Sequence, residues 1–204
     1  MISPAPTLLT PGTLDHVVIA VGMDLDAAMS AYRKLGFSVV YGGVHASGAT
    51  HNALIWFPDG AFIELMALTG QAAKTGEVDY SPMIRERRGV AGVCLRPTDF
   101  AAEIAARRGR GESVSAPEQG GRLRPDGVQL TWQVAFINGG IDPFLIEWLS
   151  PPDPVRLPRD PAVITHANGV TGLIGASVSA GQVRVKAPAP PDPDLQWGVR
   201  FITG

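Results

Sequence analysis

The chain opens, after a proline-containing lead, on a run of β-branched residues from Leu14 to Val21 that contains one imidazole, His16. Such a run reads as a strand. Leu25, Ala28, Met29, Tyr32 and Leu35 then recur at helical spacing. Asp24 stands where an N-cap is needed and Gly36 where a helix stops. Phe37–Tyr41 reads as a second strand and Gly42–Ala49 as a glycine-rich loop. His51–Phe57 and Ala61–Leu68 read as a hairpin about the turn signal Pro58-Asp59-Gly60.

The order then repeats. Val90–Leu95 is a strand, and Pro97-Thr98 opens a helix that carries Phe100 and Ile104 and closes at Gly109 and Gly111. A short extended piece lies within Ser113–Arg124. Val128–Ile137 alternates as a strand does, and Phe144–Leu149 follows it. Asp24-Leu25 matches Asp99-Phe100, Gly36 matches Gly111, and Phe62-Ile63-Glu64-Leu65 matches Leu145-Ile146-Glu147-Trp148. Two copies of strand, helix and three strands form a long-period repeat. The boundaries predicted are a first βαβββ module over 1–77, a linker over 78–89, a second module over 90–161, and a β-rich tail over 162–204. Three short strands, at Gly169–Ala180, Gln182–Lys186 and Trp197–Ile202, are expected in that tail, as a partial third copy or a hairpin cap. The fold class is α+β, with the two modules forming a cupped mixed sheet.

Composition changes this picture little. Of 204 residues 45% are hydrophobic and 18% charged, which fits a globular chain. A net charge of -2 gives no footprint for nucleic acid or an anionic membrane. No apolar run is long enough for a membrane span, and the first dozen residues lack a signal peptide's basic start. Cys94, the single cysteine, excludes an internal disulfide and reads as an inert buried thiol. A cytoplasmic protein is the expectation, with no nucleic-acid or membrane partner. The motifs of dinucleotide binding, P-loops, zinc proteases and serine hydrolases do not occur.

The residues that could carry chemistry break the apolar pattern. Glu64 and Glu147 each sit between large apolar neighbours, and a carboxylate there needs a partner or a cation. Alternation puts His16, Val18 and Ala20 on one sheet face, with Phe62, Glu64 and Met66, and sends Ile63 and Leu65 toward the helix. His51 shares the cup face if the third and fourth strands join through a two-residue turn; a three-residue turn puts Asn52, Leu54 and Trp56 there instead. Trp132 and Trp148 are candidate pocket walls or core residues. His45 and His166 fall in loop-like contexts and are expected to be solvated.

The motifs LDHVVIAV, DLDAAMSAYRKLGF, HNALIWF and FIELMAL resemble the vicinal-oxygen-chelate superfamily, and within it the glyoxalase-like domain proteins. GRLRPDGVQLTWQ, PFLIEW and HANGVTGL add to the likeness, which runs to about Leu173. The resemblance implies a divalent metal held by one residue from the first strand and one from the fourth strand of each module. Carried over, it implies His16, Glu64 and Glu147 as ligands, with Gly92 at the fourth position. It implies a small oxygenated ligand in the cup, with Glu64 or Glu147 moving a proton in isomerase, lyase or dioxygenase chemistry. Non-catalytic sequestration is the alternative, and a structural His16–Glu64 pair is a third. Relatives often form homodimers. His51, Asn52, Trp132 and Trp148 are the candidate substrate contacts.

Overall fold

The computed structural model describes residues 14–138, 140–152, 156–158, 160–177 and 182–186. Its elements in chain order are β1 (Leu14–Gly22), α1 (Leu25–Lys34), β2 (Val40–Val44), β3 (Thr50–Trp56) and β4 (Phe62–Leu68). There follow α2 (Ser81–Ile84), β5 (Gly89–Leu95), α3 (Phe100–Gly109), β6 (Glu118–Leu123), β7 (Gln129–Ile137) and β8 (Gly140–Ser150). The last are α4 (Pro161–Ile164), β9 (Gly172–Ser177) and β10 (Gln182–Lys186). Eight strands make one sheet in the order β2-β3-β4-β1-β5-β8-β7-β6, and β9 and β10 form a separate hairpin. Two βαβββ modules therefore meet along the antiparallel pair β1/β5, each with its first strand parallel to its fourth.

The sheet curls until its two ends meet. An isolated bridge joins His45 to Arg122, and the Ala46 amide donates to the Gly121 carbonyl at 2.9 Å. The curl makes a cup, which is the setting for everything below.

Local chemistry explains the repeated helices. Asp24 and Asp99 accept from the amides of Ala27 and Ala102, both at 2.8 Å, so each caps its helix. Gly36 and Gly111 follow the two helices in the left-handed region, where a side chain would be strained. Each helix lays its apolar stripe on the outer face of the sheet. Leu25, Met29 and Tyr32 pack on Val17, Ile19, Ile63 and Leu65, and Phe100 and Ile104 pack on Val93, Ala135 and Leu145. The inner face is a third cluster, with Val18, Ala20, Met66, Cys94, Trp132, Phe144 and Ile146.

Several elements differ from the sequence expectation. The second strand starts at Val40 rather than Phe37, because Phe37 and Val39 are spent on the outer core before pairing begins. The strand runs on into the glycine stretch. Gly42 is required there, since a Cβ at that position would overlap the Asn52 amide oxygen. The polar stretch before β5 holds a short helix, α2, which puts Met83 and Ile84 into the inner cluster. The extended piece within Ser113–Arg124 is a full strand, β6, paired along its length with β7. Two of the three expected tail strands are β9 and β10. Val170 and Val183 pack into the outer core beside α1. The third, Trp197–Ile202, lies outside the described residues. No helix among the described residues is long and apolar enough to cross a membrane.

Candidate functional site

Three elements of the first module and one turn build the polar floor of the cup. His16 comes from β1, Glu64 from β4, Asn52 from β3, and His45 from the end of β2; all four are buried. The β3/β4 register pairs Leu54 with Glu64 and Trp56 with Phe62. The Phe57 amide donates to the Ala61 carbonyl at 2.9 Å, so Pro58-Asp59-Gly60 is the three-residue turn, the alternative that places Asn52, Leu54 and Trp56 in the cup. His51 is thereby turned out. It lies half-buried beside Tyr41, with its pKa lowered mainly by burial, and is no part of the cup.

Glu64 is the hub. Asn52 Nδ2 donates to Oε1 at 2.6 Å, His45 Nε2 stands 3.4 Å from the same oxygen, and His16 Nε2 stands 3.5 Å from Oε2. Burial alone would raise the carboxyl's pKa. The contacts with His45, His16 and Asn52 outweigh it and hold Glu64 at about 2, so it is ionised at neutral pH.

Both histidines are held from behind. His16 Nδ1 lies 2.7 Å from Asp15 Oδ1, and His45 Nδ1 lies 2.8 Å from Thr50 Oγ1. Asp15 is fully buried and also accepts from Trp148 Nε1 at 3.0 Å. Burial would raise its pKa, but the His16 contact leads the interactions that lower it, so it too is a carboxylate. An irregularity in the β1/β5 pairing between Leu14 and His16 frees Asp15 from strict alternation. A carboxylate can only accept, so His16 must donate through Nδ1. Neutral His16 then presents a bare Nε2 lone pair to the ionised Glu64, acceptor against acceptor. A positive charge belongs between them, either a proton on His16 or a metal cation.

The cup's walls are apolar. Phe62 stacks on the His16 ring with centroids 4.5 Å apart, and Phe144 meets the ring edge-on. Trp132 and Trp148 both face inward, 5.3 Å apart, and Trp132 Nε1 donates to the buried Tyr80 hydroxyl at 2.9 Å. The enclosed space is about 30 Å³, enough for a water molecule or an ion.

The second module does not supply its expected carboxylate. On β8 the inward residues are Phe144, Ile146 and Trp148, so Glu147 points to the other face. There it takes a hydrogen bond from Gln133 Nε2. Glu147 matched Glu64 by letters but is one step out of phase in the pleat, which removes it both as metal ligand and as proton carrier. Likewise Gly92 pairs with Val18, and it is Cys94 that stands opposite His16. Burial pushes the Cys94 thiol up, so it stays protonated. Asp15, His16 and Cys94 have donor atoms all within 4.8 Å of one another. Within this group Asp15 already accepts from His16 and Trp148. A second set of donors surrounds Glu64, whose Oε2 faces His16 Nε2 at 3.5 Å and whose Oε1 faces His45 Nε2 at 3.4 Å.

His45 was missed because its sequence setting is a glycine-rich loop; its position at the sheet's closure is what buries it. His166 is also buried rather than solvated. It accepts from the Ser38 amide through Nδ1 at 3.1 Å and donates to the Trp56 carbonyl through Nε2 at 3.0 Å, which makes it a structural pin.

Residues 14–188 match the family described as glyoxalase-like domain. The chain belongs to that family, within the vicinal-oxygen-chelate superfamily. Among solved structures, the glyoxalase-like domain is similar to a hypothetical protein from Staphylococcus aureus, with a TM-score of 0.69 and 16% identity over 94% of this chain and 99% of that one. It also resembles methylmalonyl-CoA epimerase from Mycobacterium tuberculosis, with a TM-score of 0.48 and 25% identity over 76% of this chain and 97% of that one. A hypothetical protein from Bacillus halodurans gives a TM-score of 0.47 and 17% identity over 70% and 96% of the two chains. The first of these is a likeness of fold. No curated protein matches the glyoxalase-like domain.

Proposed function

We propose that the chain binds a small oxygenated molecule at the cup and holds a divalent ion there through His16, His45 and Glu64. The observation that carries this is the facing pair of acceptors, His16 Nε2 and Glu64 Oε2, 3.5 Å apart, with Asp15 occupying the other nitrogen of His16. Two imidazoles and a carboxylate suit a divalent ion, and ligand imidazoles are commonly fixed by a partner on the second nitrogen, as both are here. When bound, the ion would supply Lewis-acid polarisation of adjacent ligand oxygens. The chain's own residues do the rest. Asp15 and Thr50 orient the rings, Asn52 steadies Glu64, and Phe62, Phe144 and the two tryptophans keep water out.

Glu64 serves as a ligand rather than as a proton acceptor in this reading, because a carboxylate held at about 2 is a weak base. With Glu147 outside the cup and Asp15 engaged behind His16, no second carboxylate lines the inner cavity among the described residues for isomerase- or lyase-type proton transfer. That observation favours a second reading, binding or sequestration without turnover.

Elemental analysis of protein purified without chelator and without a metal-binding tag tests the proposal. One divalent ion per chain is expected, lost in both Glu64→Gln and His45→Gln. Protein that contains no ion, and that manganese, iron, zinc and nickel all fail to stabilise against heat, would sink it and leave His16 as an imidazolium between two carboxylates.

A further inference from the structure

Outside the cup's floor lies a larger chamber of about 240 Å³, bounded in part by Tyr41, Leu54, Trp56, Arg122 and Arg156. Leu54 and Arg122 also line the inner cavity, so the two spaces share a wall. Three guanidinium groups border the chamber, those of Arg122, Arg124 and Arg156, against one carboxylate, Asp126, which is paired with Arg124. Among the described residues that line it, the rest are mainly aromatic and aliphatic.

Arg122 is the unusual member. It is only 4% exposed, yet its single hydrogen bond is from NH1 to the Gly42 carbonyl, and no carboxylate lies within ion-pair distance of it among the described residues. A buried guanidinium is ordinarily matched by an anion, because taking the charge out of water is costly. Its fork of donors suits a planar carboxylate in particular. Arg156 is held differently, with its guanidinium carbon 4.5 Å from the Trp148 ring centre and 6.0 Å from that of Trp56. The pocket thus offers a charged fork at its inner wall and flat walls around it.

We infer that the outer chamber is a carboxylate subsite, in which Arg122 receives the acid group of a small organic acid whose oxygenated end reaches toward His16 and Glu64. The inference rests on the proposed role of the cup as a small-molecule site, and it names the class of ligand. Arg122 is thereby a specificity-determining residue: neutral analogues lose the direct ion pair with its guanidinium.

The test is calorimetric titration of the full chain with acetate, malonate, succinate and inorganic phosphate, and with the methyl esters of the two diacids. Each is run on chelator-treated and on metal-loaded protein. Saturable binding of at least one carboxylate is expected in both preparations, weakened about tenfold or more in its ester and in Arg122→Gln. Arg122→Lys keeps the charge and guards against a folding defect; it should bind more weakly than the parent but more tightly than the glutamine variant. Equal binding of acid and ester would overturn the subsite while leaving the small-molecule cup standing. Arg122-dependent binding of phosphate alone would replace carboxylate with phosphate, and absence of binding by every probe would also overturn it. Metal content, read separately, decides the ion site.

Discussion

At the scale of single residues, the site is a chain of acceptors and donors whose sense is fixed at Asp15. Because Asp15 can only accept, His16 has one orientation of its proton, and everything said of its other nitrogen follows. Asp15→Asn would offer an amide in place of one carboxylate oxygen and release that constraint. Affinity for the divalent ion is expected to fall about 10- to 100-fold, read by competitive titration with a chromophoric chelator. An unchanged affinity would mean that His16 is not a ligand. His16 and Glu64 were legible in the sequence, since each is a polar break in an apolar strand whose face alternation assigns, whereas the face of Asn52 hung on the length of the turn between β3 and β4. Glu147 had the same appearance and a different fate. Letters align LIEW with FIEL, but the face a strand residue occupies is set by its partners on either side, and β7 and α3 together hold Leu145, and with it Glu147, away from the cup.

At the scale of elements, the strands and capped helices could be read from period and punctuation. What could not be read was the work of the stretch from Gly42 to Ala49. Glycines there suggested a loop, whereas the structure uses Gly42 inside β2 to let the Asn52 amide and the Arg122 guanidinium pass close to the backbone. Gly42→Ala should therefore cost about 1–3 kcal/mol of stability, as overpacking of a tight interior does. It should also disturb Asn52 and Arg122 together. Chemical denaturation gives the first quantity. A urea midpoint equal to that of the parent would show that the Asn52 side chain moves aside without penalty. Nothing in the letters of β6 marks Arg122 either; its burial is a product of the sheet's curl, which brings residues 80 positions apart into hydrogen-bond contact.

At the scale of the whole molecule, the tail is tied to the first module through His166. Ser38 needs Nδ1 as an acceptor, so the ring must be neutral, and burial lowers its pKa below the ordinary 6.5. The unfolded chain then takes up the proton first as pH falls. The contribution of His166 is complete above the unfolded value and is lost as pH drops through the folded one. Denaturation midpoints measured across that range should decline toward acid, and His166→Gln should flatten the part of the decline that His166 causes. If the variant and the parent decline in parallel, the pin is not what couples tail stability to pH. The two-module plan itself was legible because the caps and stops repeat. The mouth of the cup was not, since it is lined from both modules and from Arg156 in the proline-rich stretch after β8.

The bridge between His45 and Arg122 has one more consequence. An open eight-stranded sheet carries two outer ladders of unpaired amides and carbonyls, each able to recruit a neighbouring chain. Here β2 and β6 turn toward each other at that bridge and at the Ala46–Gly121 hydrogen bond. The closure that buries the site's residues thus also guards against aggregation. Substitutions that loosen the seam to admit a bulkier ligand will be felt as lost solubility as well as altered binding.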